Sequence, residues 1–305
     1  MFQLVVKRAV MAIPVLWIVA SLTFMLVRIV PGGPFDAEKN LPPQIVQNIK
    51  AKYHLDRPVF EQYVLYMGRL AQGDLGVSYK YVSRTVNDIL RDALPVSLQL
   101  GAFALILAVC LGVPLGTIAA VRRGTPVDWL AMLVSTMGVS LPSFLNGALL
   151  IFVFGLWLKV LPVALWENWR NMLLPAITLA VGPTAYLARL TRASILDVLE
   201  KDYVRTARSK GLSENWTVLK HVLRNALVPV ATVLGPLTAA LITGSFVVEY
   251  IFAIPGMGRF FITAVTNRDY DLIIGTTLIY AMLLIIANTV VDIVYQFLDP
   301  RIRME

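Results

Sequence analysis

Six stretches of this chain, residues 9–30, 95–121, 129–158, 173–190, 227–252 and 272–298, are apolar over lengths that a membrane-spanning helix requires. A hydrocarbon core of about 30 Å takes roughly 20 helical residues at about 1.5 Å each. Composition agrees: 57% of residues are hydrophobic and 15% charged, against roughly 45–50% and about 25% in soluble chains. These numbers exclude a water-soluble enzyme or a nucleic-acid-binding domain. The first run follows Lys7 and Arg8 and ends in Pro31-Gly32-Gly33-Pro34. It is longer than the roughly 7–15 residues of a cleaved signal, so it reads as a retained anchor, with Arg28 able to snorkel at its far end.

The net charge of +8 is explained by topology. Fourteen Lys and Arg fall on one face: the two near the N-terminus, Arg122 and Arg123, eight between Arg189 and Arg224, and Arg301 and Arg303. The short loops of the opposite face hold four, Lys159, Arg170, Arg259 and Arg268. The positive-inside rule places both termini and the 191–226 loop in the cytoplasm. Residues 31–94 lie outside and are long enough to escape the rule. Ile45, Ile49 and Tyr53, then Phe60, Val64 and Met67, then Ile89 and Leu90, share helical spacings. The segment reads as a small ordered lobe. The expected division is therefore residues 1–94, an anchor helix with an extracytoplasmic lobe, and residues 95–305, a five-helix core with a cytoplasmic loop.

A search for catalytic chemistry finds little. No Walker loop ends in Lys-Ser or Lys-Thr, and Gly256 and Gly258 read as a turn. His54 and His221 stand apart without metal-ligand spacing. The lone Cys110 lies within an apolar run and fits helix packing. Polar residues at membrane depth are costly and mark candidate paths. They are Ser140, Ser143 and Asn146 around Pro142, Thr243, Ser245 and Glu249 along the fifth span, and Asn288 and Asp292 on one face of the last. Interhelical hydrogen bonding is the alternative reading of each. Gly112 and Gly116 form a small-xxx-small pair, and Gly182-Pro183 and Gly235-Pro236 are expected to interrupt their spans.

The 191–226 loop is the most informative segment. A helical pattern runs from Ala193 through Ile195, Leu196, Leu199 and Tyr203 to Ala207 and stops at Gly211. Ser213 can cap a second helix with an apolar stripe of Trp216, Leu219, Val222, Leu223 and Ala226. The result is a helix–Gly–helix elbow suited to docking against another protein.

Asp202-Tyr203-Val204-Arg205-Thr206-Ala207-Arg208-Ser209-Lys210-Gly211-Leu212 resembles the EAA loop of binding-protein-dependent ABC importer permeases, in its peptide-transporter form. Arg205, Thr206 and Ala207 stand at the triplet and Gly211 at the glycine, while Val228-Pro229 stands for the later Leu-Pro. The stretches Pro31 to Phe35, Gly244 to Glu249, Ile254 to Gly258 and Asn267-Arg268-Asp269-Tyr270 also resemble that family. Asp271 replaces the proline often found next. The outer segment, with Leu41-Pro42-Pro43 and residues 51–55, is most similar to that of the oligopeptide permease B subunits within the oligopeptide/dipeptide (peptide/nickel) family.

The resemblance implies an all-α integral membrane protein with the type I importer (MetI-like) permease fold, both termini cytoplasmic, in a bacterial inner membrane. It implies a non-enzymatic subunit paired with a second homologous permease and two ATP-binding subunits, with ATP and Mg held by those partners and no cofactor in this chain. An extracytoplasmic binding protein would deliver oligopeptides. Dipeptides, nickel chelates, glutathione or peptide antibiotics are alternatives, and a non-transporting scaffold is a further one. By motif match, coupling to the ATPases falls to Asp202, Tyr203, Arg205, Thr206, Ala207, Lys210 and Gly211.

Overall fold

The computed structural model of the chain describes residues 2–34, 43–81, 83–242 and 246–298. Among them the only extended pairing is an isolated bridge between Val77 and Thr85. The rest of the regular structure is helical. Five helices are long and apolar enough to cross a membrane, and a bent pair makes a sixth.

The first compact unit comprises residues 1–96 and 255–285. It holds α1 (Phe2–Ile29), α2 (Pro43–Lys52), α3 (Val59–Leu70), the start of α4 (Val86–Val121), α12 (Met257–Asn267) and the start of α13 (Tyr270–Leu298). Phe24 is buried among aromatic rings, with Tyr63 edge-on at 5.4 Å and Tyr66 tilted at 6.1 Å. Val86, Ile89, Leu90, Leu272 and Ile274 add aliphatic bulk. Gly275 lets Val86 approach, since a Cβ there would stand 2.5 Å from Val86 Cγ1.

Two expectations change here. Phe60 and Val64 are exposed, and α3 instead buries Tyr66 and half-buries Tyr63, Met67 and Leu70. Aromatic rings reaching Phe24 outweigh the aliphatic stripe. Ile89 and Leu90 are buried as expected, but in the first turns of α4 itself, so the third stretch and the second span form one 36-residue helix.

The second unit comprises residues 97–254 and 286–305. Its described part contains the remainder of α4, α5 (Pro126–Ser140), α6 (Ser143–Leu150) with a π-helical continuation (Ile151–Trp157), and α7 (Trp169–Leu199). Next come α8 (Asp202–Ser209), α9 (Glu214–Thr217), a π-type turn (Val218–Val222), α10 (Leu223–Ile242) and α11 (Phe246–Ile251). α7 is the hub, packing against α5, α6 and α10. Its start is set by Asn168, whose side chain accepts from the Arg170 N–H at 2.9 Å.

Small residues let backbones meet. A Cβ on Gly112 would stand 2.8 Å from the Thr184 carbonyl, and one on Gly116 would strike that of Ala188. One on Gly101 would meet the Leu241 carbonyl at 2.5 Å. Lipid supplies no hydrophobic drive between helices, so such close approach is what holds them.

The helix breaks differ from expectation. α7 and α10 run through Gly182-Pro183 and Gly235-Pro236 without interruption. The third span breaks instead, bending by 107° between α5 and α6. Leu141 and Pro142 are extended there, with ψ of 137° and 144°. A proline drives its predecessor out of the helical region. In the fifth span the described helix α10 reaches Ile242 and α11 starts at Phe246, and residues 243–245 lie outside the described residues.

Candidate functional site

The elbow is built from two helices and a left-handed glycine. α7 ends at Leu199, Lys201 is extended with ψ of 145°, and α8 then begins at Asp202. The single helix expected from Ala193 to Ala207 is therefore two. Leu199 and Tyr203 keep a helical spacing across a turn that the pattern alone cannot reveal.

α8 buries Val204 in a cluster with Ala120, Ile195, Val222 and Ala226, and Ala207 is buried on the same helix. Its other face carries Asp202, Tyr203, Arg205, Thr206 and Lys210 into the open, as Gly211 follows. Among the coupling candidates only Ala207 serves the core.

Gly211 sits at the C′ position with φ of +83°, and its N–H donates to the Arg208 carbonyl at 2.9 Å. A Cβ there would meet nothing within 4 Å. Gly211 thus supplies conformation, not the small size that a crowded turn would need. Arg208 donates through Nε and Nη2 to both Glu214 oxygens, at 3.0 and 2.6 Å, bracing the turn. That pair is exposed and worth under about 1 kcal/mol. Asn225 Nδ2 donates to the Tyr203 hydroxyl at 2.8 Å, tying α8 to α10.

Helix α9 begins directly after Ser213, as expected. The second stripe does not form one face: Val218, Val222 and Ala226 are buried, while Trp216 and Leu219 are 51% and 63% exposed. The π-type turn adds a residue to the local period, which rotates Trp216 and Leu219 outward. Both are uncovered apolar groups, with Lys220 Nζ standing 5.6 Å above the Trp216 ring.

The path candidates fall in two settings. Ser140, Ser143 and Asn146 gather at the α5–α6 break. Asn146 Nδ2 donates to the carbonyls of Gly138 and Leu141 at 3.2 and 3.4 Å, satisfying oxygens that the break frees. Ser140 Oγ donates back to the Thr136 carbonyl at 2.8 Å. Glu249 is fully buried on α11, which packs on α6 and α7. Asn288 is exposed and Asp292 half-buried on α13. The neighbouring Val291 fills the space at Gly235 of α10, where a Cβ would stand 2.5 Å from Val291 Cγ1. Thr243 and Ser245 lie outside the described residues, as do Phe35, Leu41, Pro42, Gly244, Arg301 and Arg303.

A partly buried ion pair escapes any local reading. Arg192 on α7 donates through Nε and Nη2 to Asp128 on α5, at 2.7 and 2.8 Å, and the Gly124 N–H donates to the same carboxylate at 3.0 Å. The partners are 64 residues apart, so no motif spacing links them. Asp128 at the first turn of α5 was the only available signal.

The first unit holds a second polar network. Asp269 accepts from Ser78 Oγ and, at 3.1 and 3.4 Å, from the Tyr79 and Lys80 N–H groups. Burial raises the Asp269 carboxyl above the usual carboxylate range, while Ser78 and the backbone donors oppose the shift. Arg28 does not snorkel: its Nε and Nη2 donate to Gln62 Oε1 at 3.2 and 3.0 Å, and its guanidinium lies 3.4 Å over the Phe24 ring.

Comparison with known proteins fits this architecture. Residues 112–304 match the family described as binding-protein-dependent transport system inner membrane component, and residues 1–101 match the family's N-terminal membrane-component model. The dipeptide transport system permease protein DppB of Bacillus subtilis is 45% identical over 100% of this chain and 99% of its own. The oligopeptide transport system permease protein OppB of Haemophilus influenzae is 42% identical over 99% and 100%.

Among solved structures, an inward-facing MetNI methionine ABC transporter aligns with a TM-score of 0.58 at 14% identity, covering 69% of this chain and 96% of that one. An amino acid ABC transporter gives 0.55 at 18%, covering 69% and 94%. Both show the fold, the MetI-like permease fold of type I importers. The all-helical span pattern, the elbow and the full-length identities converge: this chain belongs to the binding-protein-dependent transport system inner membrane component family and is a multi-pass permease subunit of the peptide ABC transporter type.

Proposed function

We propose that the chain forms half of a translocation pathway that carries oligopeptides into the cytoplasm. The observation that carries this is identity above 40% over essentially the whole length to oligopeptide and dipeptide permeases. The other half is a homologous permease, and two ATP-binding subunits supply the energy with their own ATP and Mg. An extracytoplasmic binding protein delivers the substrate. Both termini and the elbow face the cytoplasm, as the basic residues direct.

Coupling runs through α8. Asp202, Tyr203, Arg205, Thr206, Lys210 and Gly211 offer exposed groups to an ATPase groove, while Val204 anchors the helix in a cluster with Ile195 of α7 and Ala226 of α10. Trp216 and Leu219, in the second arm of the elbow, add exposed apolar area. The path lies on the second unit, with Glu249 and the residues at the α5–α6 break as its polar groups. Dipeptides are the second reading, favoured by the 45% identity to a dipeptide permease.

The test is uptake of labelled tri- and dipeptides by proteoliposomes containing the complex co-purified with this chain, with and without ATP. ATP-dependent tripeptide accumulation is expected. Uptake of dipeptides alone would shift the substrate, and recovery of the chain without ATP-binding subunits would remove the import reading.

A further inference from the structure

Helix α3 carries an apolar face that the described residues of the first unit leave uncovered. Phe60 is 75% exposed and Val64 52%, and the two stand one turn apart on one side of the helix. An apolar face left open in a folded unit marks a contact surface. What covers it follows from the depth at which α3 sits.

That depth is fixed by α1. Its apolar run begins after Lys7 and Arg8, so a hydrocarbon core of roughly 20 helical residues carries it from Ala9 to Arg28. Arg28, at the outer limit, donates to Gln62 Oε1 of α3 at 3.2 and 3.0 Å. One turn deeper, the Phe24 ring meets Tyr63 edge-on and Tyr66 tilted. Deeper again, Ser21 Oγ donates to the Trp17 carbonyl at 2.8 Å and stands 2.8 Å from the Tyr63 hydroxyl. A serine has one proton to give, so Tyr63 is the donor of that second bond. The rise from Ser21 to Arg28 is about 10 Å. α3 is therefore seated against turns of α1 that lie within the outer leaflet, and Tyr63 reaches the deepest of them.

The residues of α3 are divided to match. Phe60 and Met67 flank Tyr63 at three and four residues, and Val64 follows Phe60 at four, so these apolar groups adjoin the edge that Tyr63 directs inward. Glu61, Gln62 and Arg69 fall toward the opposite edge, with Leu65 the one apolar residue among them. The same turns of α1 expose Leu22, Met25, Leu26 and Ile29, and on a spanning helix these face lipid. Lipid thus reaches α1 at the level where α3 is seated.

We propose that α3 is an interfacial helix, lying at the outer boundary of the bilayer with Phe60 and Val64 inserted among lipid acyl chains. Helices of this kind bury their apolar side about 5–10 Å into the boundary, which is the depth set by Phe24 and Ser21. Tyrosines, apolar in body and polar at the tip, suit the same level. The cover of this face is lipid, not a protein partner. The inference uses none of the coupling or path residues and holds whether or not the chain carries peptides.

The test is spin labelling of the co-purified complex in phosphatidylcholine vesicles, on a Cys110→Ala background because Cys110 is exposed. Nitroxides are attached through Phe60→Cys, Val64→Cys or Glu61→Cys, all at exposed positions. They are relaxed in turn by oxygen, which concentrates in lipid, and by a water-soluble nickel chelate. Labels at positions 60 and 64 are expected to answer more strongly to oxygen, at a depth of about 5–10 Å, and the label at position 61 more strongly to nickel. Leu22→Cys on α1 supplies the reference for lipid exposure. Adding Phe60→Asp should shift the label at position 64 toward the nickel response and leave the label at position 22 unchanged.

Labels at positions 60 and 64 that answer mainly to nickel would place the face in water. Labels shielded from both relaxants would place it against another subunit or a docked protein. Either outcome overturns the proposal. The measurement reads equally on the full-length chain alone in the same vesicles, so loss of the import reading leaves it decisive.

Discussion

The two compact units are held together by different chemistry. In the first, aromatic rings and polar anchors carry the packing: Tyr63 meets Phe24 edge-on and Tyr66 meets it tilted, Asp269 anchors the 78–80 turn, and Arg28 lies between Phe24 and Gln62. In the second, α4, α7 and α10 meet through glycine and alanine, with Ala104, Ala108, Leu187 and Val230 buried in one cluster. The contrast follows the solvent. Residues 43–85 lie outside the spanning helices, where charge can be satisfied by water or by folded partners. Helices within lipid gain little from apolar contact and rely on close backbone approach and directed hydrogen bonds.

The comparison can be broken most sharply at Gly116. Its neighbour is the Ala188 backbone carbonyl, which cannot rotate away. Gly116→Leu is expected to cost about 3 kcal/mol or more and to separate α4 from α7. Thermal unfolding in detergent and cross-linking between cysteines placed on the two helices would register it.

Asp128 and Arg192 are the second unit's exception, a charge pair among small-residue contacts. Removing one partner of a fully buried pair costs about 3–5 kcal/mol. The Arg192 side chain is 27% exposed, so Arg192→Gln is expected to cost about 2 kcal/mol. The double variant with Asp128→Asn should recover part of that loss, and a double-mutant cycle measures the coupling directly.

Ser78→Ala tests the first unit's dependence on polar anchoring. It removes a donor to buried Asp269 and should cost about 1–2 kcal/mol at neutral pH. The sign with pH follows from the raised carboxyl of Asp269. A proton is held more tightly in the folded state than in the unfolded one. The associated stability is therefore complete below the ordinary aspartate value and is lost as pH rises through the raised one. Ser78→Ala weakens the ionised form, so its penalty should grow from pH 4 toward pH 7. A penalty constant over that range would show that Ser78 acts by packing alone.

The smallest effect is expected at the elbow. Gly211→Ala meets no atom within 4 Å and carries only left-handed strain, about 1 kcal/mol. Gly211→Asp should likewise leave the fold standing while abolishing peptide uptake. Uptake at the normal rate by a stable Gly211→Asp chain would remove the coupling role from this turn.

Legibility in the sequence followed the range of each interaction. Apolar runs marked the spans because bilayer thickness sets their length locally. The turn at Gly211 was legible for the same reason, a left-handed residue between two periodic segments. The α7–α8 break was hidden because Leu199 and Tyr203 preserve helical spacing across it. The π-type turn at 218–222 likewise defeated a fixed 3.6 period and exposed Trp216 and Leu219. The Gly-Pro pairs misled in the opposite direction, since both helices continue through them. Asp128 with Arg192 and Ser78 with Asp269 pair over 64 and 191 residues, distances at which only folding selects a partner.

Asp271 occupies the first turn of α13, where its carboxylate accepts from the Val77 N–H at 3.3 Å. Proline is tolerated in a first turn, because the backbone N–H it lacks has no helical acceptor there. Exchange of Asp271 for proline would therefore spare the helix while deleting the carboxylate that reaches the turn beginning at Val77. The fastening of that turn is on that account separable by one substitution from the helix that carries it, and chains of one architecture could differ in it without altering how their helices pack.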